Sequence, residues 1–189
     1  MDYLVSGRAP DTAQAMVPHG IDASGNAVPQ SLANPAPFYG PLTLRAADSA
    51  AVTAALYATG NCVGALRTFA GMARAAGQGG ILQTAIIRDK AGQNVAYDLF
   101  LFDSAPATPT DKTAIALSAA DLAKCIGVVS FAGAALGAAT TMGVVTAAGL
   151  GMAYKLASGT TLYGILVARG APTYASTSDI AVELIAVPD

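Results

Sequence analysis

Thr160-Thr161-Leu162-Tyr163-Gly164-Ile165-Leu166-Val167-Ala168-Arg169 is the stretch that decides the fold class. It is β-branched and aromatic, and it ends on a charge, as a strand on a pleated, buried surface does. Gly170-Ala171-Pro172-Thr173 turns the chain after it. Past Ser176-Thr177-Ser178-Asp179, the run Ile180 to Val187 alternates, so that Ile180, Val182, Leu184 and Ala186 share one face. Upstream, Val95 to Asp103 places Tyr97, Leu99 and Leu101 on one side and Asp98, Phe100 and Phe102 on the other. Both sides of that strand are apolar enough to be covered, as in a sandwich strand near a subunit contact.

The pattern extends outward from these three runs. Val52 to Tyr57 is predicted as a first strand, ended by Thr59-Gly60-Asn61, and Cys62 to Leu66 as a second, with Gly64 marking a bulge or a close approach. Gly77-Gln78-Gly79-Gly80 breaks the chain before a strand over Ile81 to Arg88, and Asp89 to Asn94 is predicted as a polar hairpin-type loop. Ser104 to Asp111 is a Pro/Thr loop. Ile126 to Phe131 completes the strands. One short helix is expected over Ala119 to Lys124, with Ser118 as its cap and Asp121 at the third helical position. Short strands at close spacing with one helix predict an all-β sandwich, jelly-roll-like or Greek key. Alternating strand and helix units are lacking, which excludes a doubly wound sheet.

Residues 1 to about 50 read differently. Pro10, Pro18, Pro29, Pro35, Pro37 and Pro41 are six of the chain's 10 prolines. Proline removes a backbone donor and pushes its predecessor towards extended geometry. The segment is therefore predicted as an extended arm, with turns at Pro18-His19-Gly20 and Ser24-Gly25-Asn26, and the sandwich is expected over 51–189. Its scattered apolar residues (Leu4, Val5, Met16, Val17, Ile21, Leu32, Phe38 and Tyr39) suit docking along a groove.

Composition narrows the function. Lys and Arg total 10 against 12 Asp and Glu, a net charge of −2, and the basic residues are scattered from Arg8 to Arg169. Binding through a phosphate backbone needs clustered positive charge, so no nucleic-acid partner is expected. Charged residues are 12% of the chain, where soluble domains carry about 25%. So low a charge fits a surface covered by copies of the chain or by a larger assembly.

No catalytic or metal site is expected. Zinc needs clustered Cys and His, whereas His19, Cys62 and Cys125 stand far apart, and the cysteines read as buried free thiols in a protein assembled in the cytosol. His19 alone would have to serve a nucleophilic triad, and it reads as a turn residue. Asp89, Asp98, Asp103 and Asp111 fit no calcium loop and no acid/base pair. Gly77-Gln78-Gly79-Gly80 lacks the Lys-Ser/Thr of a phosphate loop. Ile126 to Tyr154 carries no charge and is long enough to span a bilayer, but its residues are mostly Gly, Ala, Thr and Val. It is read as a strand, a small-residue loop and a further strand, not as a membrane helix, and the N-terminus is not a signal peptide.

Three ordered strings carry a family resemblance: Ile86 to Asn94 leading into Asp98 to Phe102; Asp111-Lys112 with Ala120 to Phe131; and Gly159 to Tyr174 with Ser176 to Ile180. Together, from about Ala54 to Val187, they resemble small tailed-bacteriophage virion proteins that include capsid decoration (cement) proteins. The resemblance implies a β-sandwich that trimerises on the outer surface of an icosahedral head and clamps neighbouring major capsid subunits, with no cofactor. A head appendage that binds host carbohydrate or receptor is the other expectation, for which Tyr39, Tyr57, Tyr154 and Tyr174 are the aromatic candidates.

Overall fold

A computed structural model describes residues 19–21, 27–29, 43–133, 135–136 and 142–189. The chain divides into two units, 1–40 and 41–189. In the first, β1 (His19–Ile21) pairs antiparallel with β2 (Ala27–Pro29), His19 opposite Pro29. His19 thus lies in a strand, where a turn was expected. The predicted Ser24-Gly25-Asn26 turn falls outside the described residues.

The second unit is an antiparallel two-sheet sandwich. Five strands form one sheet: β3 (Leu44–Asp48), β5 (Gly79–Asp89), β8 (Ala135–Leu136), β9 (Gly143–Lys155) and β11 (Ile180–Pro188), in the order β3-β11-β5-β9-β8. Four form the other: β4 (Arg67–Phe69), β6 (Tyr97–Phe102), β7 (Cys125–Phe131) and β10 (Leu162–Ala168), in the order β4-β10-β6-β7. The alternation read in β11 holds: Ile180, Val182, Leu184 and Ala186 are all fully buried. They meet Tyr97, Leu99, Leu101, Leu162 and Leu166 of the facing sheet in a single core. Each large apolar side chain so buried contributes about 2 kcal/mol.

α1 (Ala119–Leu122) has the predicted capping box, with the Ser118 hydroxyl accepting from the Asp121 N–H while the Asp121 carboxylate accepts from Ser118. Among the described residues no helix is long and apolar enough to cross a membrane.

Several expected elements change character. The sandwich takes in Leu44–Asp48, ahead of the expected boundary at 51, because this proline-free run pairs with β11. Val52 to Tyr57 and Cys62 to Leu66 are not strands. They wrap as loops with isolated bridges at Leu56, Asn61 and Cys62, and the N–H groups of Thr53 and Gly64 donate to the Asp111 carboxylate in place of a ladder. Asp89 to Asn94 joins strands of different sheets and closes no hairpin. Gly79 and Gly80 begin β5 and do not break the chain before it. A Cβ on Gly79 would lie 1.9 Å from the Tyr154 carbonyl oxygen, so the backbones of β5 and β9 approach where only glycine fits.

Candidate interaction surface

The two outer faces of the sandwich differ. Outside the four-stranded sheet, Phe100, Phe102, Ile165 and Val167 point away from the main core. Cys62, Leu66, Ile115 and Leu117 cover them from the chain's own loops and form a second apolar cluster. A cavity of about 220 Å³ lies under the 107–117 loop, lined by Cys62, Thr110, Ile115 and Ile165 among others. The second face of β6 is thus covered, as its sequence required, but by the same chain. Val128 at the edge strand remains 41% exposed.

Asp111 pins that loop. Its carboxylate accepts from the Thr53 N–H at 2.8 Å, the Thr53 hydroxyl at 2.7 Å, the Tyr57 hydroxyl at 2.7 Å and the Gly64 N–H at 2.6 Å. Burial raises its pKa, but the hydrogen bonds from Thr53 and Tyr57 outweigh that and hold it below the ordinary carboxylate value.

The outer face of the five-stranded sheet carries no such loop cover among the described residues. Its cross-strand rows are Ala181–Arg88–Val144, Ala47–Glu183–Ile86–Thr146, Arg45–Ile185–Thr84–Ala148 and Val187–Ile81–Ala153. Glu183 sits at the centre, its side chain only 8% exposed although it points outward. Arg45 Nε donates to Glu183 Oε1 at 2.6 Å, and Arg88 Nη2 lies 2.5 Å from Glu183 Oε2. Burial raises the Glu183 pKa, but the bonds from Arg88 and then Arg45 outweigh it and keep it lower than usual. The two arginine side chains are 60% and 44% exposed. One carboxylate thus holds two cations on an otherwise uncharged stretch of the sheet face. Lys90 follows β5 at the same end. Arg88, Asp89, Lys90, Met142 and Val144 line a depression of about 170 Å³ there.

The acids weighed in the sequence do not form a site. Asp89 is buried and accepts from the N–H groups of Ala91, Gly92 and Gln93. Asp98 pairs with Arg169 and accepts from the Ser130 hydroxyl at 2.8 Å. Asp103 accepts from its neighbour Ser104, and Asp111 serves its loop. Among the described residues no group of three or more His, Cys, Asp and Glu is placed to hold a metal ion.

Cys62 and Cys125 are unpaired, and burial raises the Cys62 pKa. Tyr57, Tyr154 and Tyr174, the aromatic candidates for the receptor-binding alternative, are buried, at 1%, 6% and 2% exposure. Tyr39 lies outside the described residues. The hydroxyls of these three are used internally: Tyr57 bonds to Asp111, Tyr154 to the Met72 carbonyl, and Tyr174 to Tyr97.

Sequence reasoning missed the Arg45–Glu183–Arg88 cluster. Period-two alternation in β11 already put Glu183 on the face opposite Val182 and Leu184. Its partners come from other strands, Arg45 being 138 residues away in the chain. No protein-family model matches the chain, and no curated protein is significantly similar to it.

Proposed function

We propose that the protein is a structural component of a tailed-bacteriophage virion, without enzymatic activity, that decorates the outer surface of the icosahedral capsid as a homotrimer and stabilises it by bridging major capsid subunits. The observation that carries this reading is the inequality of the two outer faces. Among the described residues, loops roof much of one sheet, while on the other Ile81 and Val144 are 41% and 51% exposed and Arg45 and Arg88 stand out over Glu183. A sheet face that carries exposed apolar side chains around a fixed charge cluster is the kind of surface that a protein partner covers. The ordered strings that resemble decoration proteins, and the 12% charge content, support the same reading.

The receptor-binding alternative has less to stand on, since Tyr57, Tyr154 and Tyr174 offer no exposed ring for a sugar to stack on.

The test uses heads of the parent phage prepared without this protein. Added full-length protein is expected to bind them saturably as a trimer and to raise the temperature at which they rupture. A stable monomer at micromolar concentration by light scattering, or heads that bind none of it, overturns the proposal.

A further inference from the structure

We infer that the open face of the five-stranded sheet docks a carboxylate-bearing, apolar segment of a partner protein, seated between Arg45, Arg88 and the depression beside Val144. The inference deepens the proposed function by naming the chemistry of the contacted surface, and it rests on that reading for the partner's identity.

Charge complementarity carries the argument. At this end of the face stand Arg45, Arg88 and Lys90, with Glu183 as the carboxylate among them, in a chain whose net charge is −2. The cations that are scattered in sequence are gathered here by strand pairing. Each guanidinium has five N–H donors. Glu183 engages Nε and Nη2 of Arg45 and Nη2 of Arg88, and the arginines keep 60% and 44% of their side chains exposed. They are positioned to receive a second carboxylate in the planar geometry arginine favours.

The adjoining 170 Å³ depression is apolar, walled by Met142 and Val144 and by the aliphatic stems of Arg88 and Lys90. Asp89, which also lines it, is buried, and its carboxylate accepts from the N–H groups of Ala91, Gly92 and Gln93. An apolar side chain next to an acid matches that outline.

A second copy docking through the same patch would set Arg45, Arg88 and Lys90 against their own images, which costs energy. Duplex DNA is the other anionic candidate, but three cations around a carboxylate and apolar neighbours make a poor phosphate track.

The test reads binding by fluorescence anisotropy with three probes: a soluble peptide carrying two Glu flanked by Leu and Val, its Gln-for-Glu counterpart, and a 20-base-pair DNA. The triple variant Arg45→Gln/Arg88→Gln/Glu183→Gln removes the cluster without stranding a carboxylate. Arg74→Gln, an exposed residue elsewhere, changes net charge by the same −1 as a control. Val144→Glu, at a half-exposed position the fold tolerates, puts a carboxylate in the depression.

The acidic peptide is expected to bind the full chain at least tenfold more tightly than its Gln counterpart or the DNA. The triple and Val144→Glu variants should lose at least tenfold, and the control should lose nothing. Binding of the acidic peptide by the triple or the Val144→Glu variant as tightly as by the unmodified chain, or tighter binding to DNA, overturns the inference. On heads, uptake of wild type and of both variants alike leaves the decoration reading standing and sinks the docking inference. Peptide binding as described with no uptake by heads does the reverse.

Discussion

Arg67 Nη1 lies 3.3 Å from Asp48 Oδ1, so a fully buried arginine on the edge strand of one sheet is tied to an acid on the edge strand of the other. Arg67 Nη2 also donates to the Val63 carbonyl at 2.9 Å, and the second Asp48 oxygen accepts from the Thr68 N–H at 2.9 Å. Removing one partner of such a pair leaves a charge without compensation in the interior. Asp48→Ala is therefore expected to cost about 3–5 kcal/mol. The double variant Asp48→Ala/Arg67→Met is expected to lose less than the single one, as measured by urea unfolding. A larger loss in the double variant would show that the pair is not the governing interaction.

Gly79→Ala tests the close approach of β5 to β9. Backbone atoms of Tyr154 and Lys155 occupy the space a Cβ needs, and neither can rotate away. Destabilisation of about 3 kcal/mol is expected. Gly71→Ala is a useful contrast, because its Cβ would meet nothing within 4 Å and its cost comes only from a φ of +73°. A smaller loss at Gly79 than at Gly71 would contradict the packing described.

Acid should weaken the fold with a definite sign. Asp111 and Glu183 have lowered pKa values, and the Ser118 hydroxyl, with the Ala107 N–H, pulls Asp121 down to about 2. A carboxyl lowered by folding stabilises above its unfolded pKa, about 4, and that contribution disappears as pH falls through its folded value. Asp89, raised by burial, works in the opposite direction. Stability is thus expected to fall between about pH 4 and pH 2, and Asp111→Asn to flatten that decline while lowering stability at pH 7. Unchanged urea midpoints across this range would refute the assignment.

The thiols should differ in reactivity. Cys62 is 1% exposed and its pKa is raised, while Cys125 is half-buried. Thiolate is the reacting species. A disulfide reagent is expected to modify Cys125 in the native protein and Cys62 only on unfolding, at least a hundredfold more slowly; mass spectrometry of timed digests decides between them.

How much of this was legible beforehand depends on where the information resides. The sandwich class, the strands around Leu162–Ala168 and Ile180–Pro188, and the Ser118 cap all follow from local signals: alternation over two residues, β-branching, and a hydroxyl three residues before an acid. These properties belong to a segment and do not require knowing its neighbours.

Tertiary structure alone decided which acids and cations meet. In sequence Asp111 only ends a Pro/Thr loop and nothing local marks its role, because its donors come from Thr53, Tyr57 and Gly64, far earlier in the chain. Val52 and Tyr57 are buried as a strand's residues would be, yet they sit in a loop that Asp111 holds. Strand order brought Arg45 and Arg88 to the two sides of Glu183. The physical reason is common to all three cases. Periodicity in sequence fixes which way a side chain points relative to its own strand, while the charge or hydroxyl it meets depends on loop closures across the whole chain, which local pattern does not encode.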